Sequence, residues 1–510
     1  MHRVATRMLA LVAIAACTPQ SSSSAPAPER KPLRPLASGE SNIARADYIG
    51  PNACGECHAV QFAAWTTSLH RVMNAMADDA GAIIGKFDGA VLRYAGGEAR
   101  FDRDLAGHTM TVRKGDRETR YRITRTIGKR YLQEYVGIED GRSEEVRLPF
   151  GWWPRYGGWV AQPYFDPWLD EAAFDAYAPV REPWAERCPW CHSTYPFAQR
   201  IARASGPRAV GHGFEQYFTA SAGTDRLAVA EQVSTGISCE SCHLGGRAHA
   251  AGATIDFLPH GAARGADAPA WPATFAAQRK DASVVNGVCA QCHSGPSPRL
   301  ADGTALRNSS EALDLAASDC KAKCTDCHDP HAGGVDEARS IAACTGCHAT
   351  QAQPAHAGSA HAVIGPAAAP AQAASCLDCH MPRIVMGIDR YVRTHRIGSP
   401  TNPKLYAEAA PNACNVCHLD RTIEWTVAAL RDGWDVVLPP QLPAYGDDNV
   451  GDVWLASKSP AFRLIAMQAY ARSSLGKFAL ARIDKAASSD PAAYVRAWAK
   501  FAADEIKRRK

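Results

Sequence analysis

Apolar and polar side chains alternate along one stretch of the chain, from Phe87 to about Leu148. Thr109–Val112 and Tyr121–Ile127 place apolar or β-branched residues at every second position, which is the period of a strand with one buried face. Turn sequences separate such runs, at Gly96-Gly97, Lys114-Gly115-Asp116 and Glu139-Asp140-Gly141. The pattern predicts a small antiparallel β insert over residues 87–150.

Helical patterns take over near the C-terminal end, in residues 426–510. Pro460 and Pro491 each precede a run with an apolar stripe, and proline is favourable at the first positions of a helix. The runs extend to Tyr470 and Trp498 and are similar to helices of HEAT-type repeats. The sequence therefore predicts an α-helical, HEAT-like tail, which either packs against the rest of the protein or offers a docking surface to a partner.

The N-terminal residues 1–17 have the composition of an export signal. Arg3 and Arg7 precede the apolar run Met8–Ala16, which is too short to span a bilayer. The run ends in Ala-Ala-Cys, which resembles a bacterial lipoprotein signal. We therefore expect lipidation of Cys17, while ordinary cleavage that leaves a free Cys17 is the alternative.

Thr18, rather than an aspartate, follows this cysteine. By resemblance to bacterial lipoproteins, that favours a lipid-anchored protein on the periplasmic side of the envelope, at the outer membrane. Residues 18–46 are rich in serine and proline and poor in large apolar residues, so they predict a disordered tether.

The chain holds 18 cysteines and 18 histidines in 510 residues, and 16 of the cysteines lie in a Cys-x-x-Cys-His pattern. Two thiols three positions apart can form thioethers to the two vinyl groups of one haem, and the adjacent imidazole can ligate its iron. Zinc sites also use paired cysteines, but they do not require a histidine after every pair. The pattern occurs eight times and predicts eight covalently attached haem c groups, on Cys54, Cys57 and His58; Cys188, Cys191 and His192; Cys239, Cys242 and His243; Cys289, Cys292 and His293; Cys324, Cys327 and His328; Cys344, Cys347 and His348; Cys376, Cys379 and His380; and Cys414, Cys417 and His418.

The second axial ligand of each iron must come from elsewhere in the chain. His328 and His331 lie three positions apart, so on a helix their Cβ atoms would be about 5 to 6 Å apart, too close to approach one haem from both faces. We therefore expect His331 to reach a neighbouring haem. His108 falls in a strand-like segment far from any motif and is set aside. The eight remaining candidates for the sixth ligands are His70, His212, His249, His260, His331, His356, His361 and His395.

This balance permits bis-histidine ligation at every iron, which is typical of low-potential electron carriers. Other ligands stay open: four methionines lie close to motifs, and Cys320 is a free thiol that could act as a thiolate ligand. None of the motifs ends in lysine, the variant that marks the catalytic haem in some multihaem reductases. The four methionines are Met73, Met76, Met381 and Met386.

Seven motifs lie between Cys188 and His418, with roughly 33 residues for each haem. That is too little chain for an ordinary protein core, so the porphyrins themselves are expected to form it. The sequence predicts a mainly α protein with little regular structure, with a first haem segment at 47–86 and a multihaem core at 151–425. Aromatic residues crowd between Phe150 and Trp190, where they either cover porphyrin edges or line a binding site.

The formal charge of +4 describes the polypeptide alone. With eight ferric haems and their propionates, and without the leader, the mature protein carries about −6. Nothing in this balance indicates binding to nucleic acid.

The motifs together resemble bacterial octahaem-like multihaem c-type cytochromes, relatives of the tetrahaem cytochrome of ammonia oxidisers in the doubled-CxxCH superfamily. The resemblance covers most of residues 48–425, and the tail is shorter than the helical repeat these proteins often carry. It rests on Cys54–His58 with Trp65 and His70, Leu132–Tyr135, Gly236–His243 with His249, His328–His331, His380–Pro382 with Asp389 and His395, and Pro411–Cys414.

The resemblance implies an electron carrier that exchanges electrons with a donor and an acceptor protein. The alternative is a multihaem oxidoreductase with one open haem that acts on nitrite, hydroxylamine or tetrathionate, so whether the protein is an enzyme stays open. A filament-forming subunit is disfavoured, because a lipid anchor would tie each copy to a membrane.

Overall fold

The structure is a computed structural model that describes residues 33–37, 39–94, 96–161, 183–204, 213–219, 226–353, 356, 361, 374–438 and 448–509. The proposed leader with Cys17, most of the proposed tether, and His212 lie outside these residues. Residues 162–182 of the aromatic-rich segment also lie outside the described residues.

The antiparallel β insert that the alternation predicted is present. Its main sheet has seven strands in the order β2-β3-β4-β5-β6-β7, with β1 paired to the end of β5. The strands are β1 (Asn74–Met76), β2 (Ala90–Tyr94), β3 (Gly97–Asp104), β4 (Gly107–Lys114), β5 (Arg117–Ile127), β6 (Glu134–Glu139) and β7 (Glu145–Arg147), followed by the separate hairpin β8 (Phe150–Trp153) and β9 (Gly158–Ala161). Both β1 and most of this hairpin lie beyond the predicted limits of 87 and 150.

One face of the sheet is buried by aromatic side chains. Phe101, Tyr121 and Tyr135 are fully inaccessible to solvent, as the period-2 pattern requires of the inward positions. The hairpin closes over them, because Trp159 stacks on Phe101 with the ring centroids 3.5 Å apart. Phe87 adds an edge-on contact to Trp159 at 5.0 Å.

The part of the chain that carries the Cys-x-x-Cys-His motifs consists of short helices joined by irregular segments. The helices are α1 (Pro51–Cys57), α2 (Ala59–Thr66), α3 (Trp184–Arg187), α4 (Pro189–His192), α5 (Phe197–Ala204), α6 (Cys239–His243), α7 (Arg247–Ala250), α8 (Phe275–Gln278), α9 (Ala282–Ala290), α10 (Glu311–Ala316), α11 (Cys324–Cys327), α12 (Glu337–Cys347), α13 (Cys376–His380) and α14 (Pro403–Ala407). Two small two-stranded antiparallel sheets accompany them, β10 (Ser193–Thr194) with β11 (Ser234–Thr235), and β12 (Val385–Met386) with β13 (Tyr391–Val392). Single turns of 3-10 helix occur at Arg45–Asp47, Phe214–Tyr217, Val229–Glu231 and Ala349–Ala352.

The C-terminal tail is helical, as its proline-led runs predicted. It comprises α15 (Ile423–Trp434), α16 (Val450–Leu455), α17 (Pro460–Arg472), α18 (Gly476–Ser489) and α19 (Ala493–Arg508). Arg463 of α17 donates two hydrogen bonds of 2.8 Å to the buried carboxylate of Asp490, which joins α17 to the start of α19.

The tail packs against the β hairpin rather than standing apart. Trp153 of β8 contacts Trp498 and Phe501 of α19, with ring centroids 5.5 and 4.7 Å apart. Tyr391 of β13 meets Trp498 edge-on at 5.7 Å. Of the two roles considered for the tail, these contacts agree with packing against the body.

The body begins before the predicted end of the tether at residue 46. Asn42 is 2% exposed and Ile43 is buried. The amide of Asn42 donates to the carbonyl of Leu258 at 3.0 Å, and its side-chain oxygen accepts from the backbone of His260 at 2.7 Å. Asn42 therefore packs into the body because its hydrogen-bond partners come from a distant segment. The local composition does not reveal such partners.

Trp498→Ala should destabilise the tail by about 3–5 kcal/mol, because it removes a fully buried indole between two segments. Phe478→Ala, in the neighbouring α18, is the matched control, since Phe478 is 71% exposed. Thermal unfolding followed by circular dichroism should show a lower midpoint for the first variant only. Equal midpoints for the two variants would contradict the packing described here.

Candidate haem sites

The motif residues share one local geometry. In most motifs the N–H of the histidine donates to the carbonyl of the first cysteine, at distances such as 2.9 Å in Cys54–His58 and 2.8 Å in Cys344–His348. Cys414–His418, which is a turn rather than a helix, has the same bond at 2.9 Å. A single helical turn thus brings positions i, i+3 and i+4 to one side, which is where two thioethers and an axial imidazole must lie for a single haem.

Five motif histidines lie opposite a second histidine at nearly constant distance. An imidazole nitrogen lies about 2 Å from a metal it ligates, so two imidazoles on opposite sides of one iron have ring centroids about 6 Å apart. The five pairs are His58 and His249 at 6.0 Å, His243 and His331 at 6.3 Å, His328 and His395 at 6.1 Å, His356 and His380 at 6.0 Å, and His361 and His418 at 6.0 Å. The donor set and spacing fit bis-histidine haem iron.

The two histidines of the Cys324 segment serve different pairs. His328 lies opposite His395, whereas His331 lies opposite His243, with an angle of 4° between the ring planes. This agrees with the expectation that three residues of separation cannot span one haem. The segment therefore joins two neighbouring sites.

His70 lies beside a sixth motif. Burial, and then the nearby His293, lower the pKa of His70, while Cys292 of the same motif opposes this shift. His70 is thus positioned next to the site of Cys289, Cys292 and His293. It follows α2, so the first haem segment supplies a side chain to a motif more than 200 residues away.

Of the three motif histidines outside these five ring pairs, His293 has His70 nearby, whereas His192 and His348 have no histidine ring opposite them among the described residues. The ring of His192 meets Trp184 at 6.2 Å, and burial lowers the pKa of His192 to about 4. His212, one candidate partner, lies outside the described residues.

The structure places His260 in a hydrogen bond to Asp256 instead. Its Nε2 lies 2.9 Å from the Asp256 carboxylate, and no second imidazole faces it among the described residues. His108, set aside from the sequence, packs edge-on against Phe87 at 4.9 Å in the β insert.

The other candidate ligands are partly accounted for by packing. Met386 is 1% exposed in β12 and belongs to the apolar core of the tail region. Met73 packs with Trp184 and Cys188. Cys320 is half-buried and lines the central cavity near Cys327 and Cys344.

A single large cavity connects most of the motifs. Its volume is about 3640 Å³, and its lining includes cysteines of seven of the eight motifs, the exception being Cys54 and Cys57. Pockets for one small ligand usually enclose about 300–1,000 Å³, so this cavity has room for several large groups side by side. The space fits the sequence expectation that porphyrins replace an ordinary side-chain core.

The motif imidazoles differ in the group that contacts Nδ1, the ring nitrogen that would face away from the iron. Nδ1 of His293 lies 3.2 Å from the Glu311 carboxylate, whereas Nδ1 of His380 lies 2.9 Å from the Gly398 carbonyl. His293 faces the cavity deep inside the protein; burial disfavours its charge, but Glu311 outweighs burial and raises the pKa of His293 to about 9. Sequence reasoning missed Glu311, because it lies 18 residues from His293 without a motif of its own.

Basic side chains also line the cavity. Arg383, Arg393 and Arg472 belong to its wall, and burial followed by the nearby Arg383 lowers the pKa of Arg472 to about 10. Arg393 binds both Glu337 and Asp378 at 2.9 Å. Such cations suit the propionates that every haem carries.

No protein-family model matches the chain, and no curated protein matches it in sequence. Two solved structures resemble it at low identity. The outer cell wall cytochrome OcwA matches with a TM-score of 0.39 and 15% identity over 91% of this chain and 99% of its own. The octaheme sulfite reductase MccA of Wolinella succinogenes matches with a TM-score of 0.33 and 12% identity over 93% of this chain and 84% of its own.

Glu311→Gln should raise the reduction potential of the haem on Cys289 and Cys292. The carboxylate next to His293 stabilises ferric more than ferrous iron, and its loss shifts the potential by about 59 mV for each tenfold change in that preference. Potentiometric titration monitored by electron paramagnetic resonance can follow a single haem.

Glu505→Gln is the control for this change, since Glu505 bonds Arg155 at 3.0 Å rather than any motif histidine. An unshifted titration in the Glu311 variant would refute the assigned role of that carboxylate.

Proposed function

We propose that the protein is an octahaem c-type cytochrome that transfers electrons through closely spaced, mostly bis-histidine haems. The observation that carries this proposal is the set of five histidine pairs with ring centroids 6.0 to 6.3 Å apart. Each pair combines a motif histidine with a histidine from another segment. Haem c supplies one-electron chemistry between ferric and ferrous iron, and the eight motifs would hold it covalently.

The axial ligands favour a carrier over a reductase. Each of the five histidine pairs would hold a haem iron with both imidazoles and leave no site for nitrite, hydroxylamine or tetrathionate. A bis-histidine iron also has a low potential, because methionine ligation would raise it. The oxidoreductase alternative would place its open iron at the motif of His192 or His348, whose second ligands are not assigned by the described residues.

The protein's surroundings are also part of the proposal. Lipidation of Cys17 would hold the protein on the periplasmic side of a bacterial envelope, at the outer membrane, which Thr18 favours. Within the described residues, no helix has the length and apolar character to cross a membrane. Redox proteins that donate and accept electrons are the proposed partners.

The purified protein should weigh more than its polypeptide by eight haems and a lipid group. Both thiols of each motif are needed for one haem, so intact mass spectrometry counts the loaded motifs directly. Cys17→Ser is the matched variant: it should keep eight haems, lose the lipid mass and move to the soluble fraction. A haem count of five or six would reject the octahaem assignment.

His249→Ala should convert one haem to a high-spin ferric centre, because His249 lies opposite His58. His260→Ala, eleven residues away, should leave the spectrum unchanged, since Nε2 of His260 is held by Asp256. Electron paramagnetic resonance of the oxidised proteins distinguishes the two results. A new high-spin signal in the His260 variant, or none in the His249 variant, would overturn the ligand assignment.

A further inference from the structure

We infer that seven of the haem sites form one continuous electron path and that the eighth is a side branch. The path runs through the sites of Cys54, Cys239, Cys289, Cys324, Cys344, Cys376 and Cys414, in that order. The site of Cys188 joins it at the site of Cys289. This inference rests on the proposed function and adds the order in which electrons move.

Contacts between cysteines of different motifs define the neighbours. Each thioether sulfur is separated from the porphyrin ring by one carbon, so sulfurs of two motifs in contact bring two porphyrin edges together. Two sites are neighbours where their cysteines are adjacent. Hydrogen bonds or ion pairs between the motif segments hold several of these neighbours together.

The first link joins the sites of Cys54 and Cys239. The side chains of Cys54 and Cys239 lie next to each other. Glu240, inside the second motif, accepts backbone hydrogen bonds of 3.0 Å from Ile49 and 2.8 Å from Gly50, at the start of α1. The buried carboxylate thus caps the helix that carries Cys54 and fixes the distance between the two motifs.

The site of Cys289 is the junction. Cys242, of the preceding site, lies near both Cys289 and Cys292. Cys292 also lies next to Cys191, which belongs to the branch.

Arg200 fixes this branch point. Its guanidinium donates to the Trp190 carbonyl at 2.7 Å and to the Gln291 side chain at 3.1 Å, and it lies 3.8 Å from the sulfur of Cys292. Trp190 lies within one motif and Gln291 within the other, so one buried side chain joins both.

The path continues from Cys289 to Cys324. These two cysteines lie next to each other, and Asn286 of α9 holds the start of the second motif. Its side-chain oxygen accepts from the backbone of Cys324 at 2.9 Å, and its amide donates to the Ala322 carbonyl at 3.1 Å.

The next link joins Cys324 to Cys344 through α12. Arg339 donates to the carbonyls of Thr325 and Asp326, inside the first motif, at 2.6 and 3.1 Å. Cys344, five residues further along α12, lies near Cys327.

The last two links lead to Cys414. Cys344 also lies near Cys376, and Cys379 lies near Cys414 and Cys417. Arg393 ties Asp378, inside the Cys376 motif, to Glu337 at the start of α12.

A test injects an electron at one end and detects it at the other. Val437 follows α15 and is 82% exposed. Val437→Cys provides the attachment point for a ruthenium photosensitiser near the Cys414 site. Cys320→Ser in all variants keeps the label at one position. His249→Met gives the Cys54 haem a higher potential and a distinct ferric charge-transfer band, so it serves as the sink and reporter.

Cys344→Ser/Cys347→Ser removes a site on the path, and Cys188→Ser/Cys191→Ser removes the branch. The first double variant should lose electron arrival at the reporter, whereas the second should keep the parent rate. Arrival that depends on the branch, or that survives loss of the Cys344 site, overturns the order. No arrival in the labelled parent, despite eight haems by mass, would instead count against the proposed electron-transfer function.

A second form of the experiment retains all the haems, so it applies even if a double variant fails to mature. His395→Met moves the reporter to the Cys324 haem, halfway along the path, because His395 lies opposite His328. The electron should reach this reporter sooner than the one at the Cys54 haem. The opposite sequence of arrival overturns the inferred order.

Discussion

The structure depends on the fact that a haem iron has two axial positions and one helical turn can fill only one of them. A Cys-x-x-Cys-His turn places its own histidine on one face, so the opposite ligand must come from another segment. The five histidine pairs have this form: His249 faces His58, and His395 faces His328. With iron between the rings, each pair becomes a cross-link between distant parts of the chain, which explains how short helices and irregular segments keep a fixed arrangement.

Side-chain packing holds together the segments that carry no motif. The β insert is closed by Trp159 over Phe101, and the tail is held to it through Trp153 and Trp498. The β insert lies between the first and second motifs and the tail follows the last one, while the cavity is lined by motif cysteines. The described residues therefore combine two large apolar cores with a middle whose cohesion would come from the proposed haem ligation.

The sequence predicted what short-range patterns determine. Period-2 alternation located the β insert, and the separation of His328 from His331 was enough to expect that they face different partners. It could not locate β1, whose pairing with Ile127 is long-range, or the hydrogen bond that takes up Nε2 of His260. Counting histidines treats all as equivalent, whereas ligation depends on which imidazole the fold leaves facing another.

The surroundings of the outer imidazole nitrogen add a further level of control. A carboxylate at His293 and a carbonyl at His380 would give otherwise similar sites different electron density at a bound iron. The carboxylate would lower the potential of the Cys289 site, which is the inferred junction of path and branch. A low-potential haem at a junction passes its electron on to either neighbour instead of retaining it, so the placement of Glu311 suits a branching path better than a haem that stores charge.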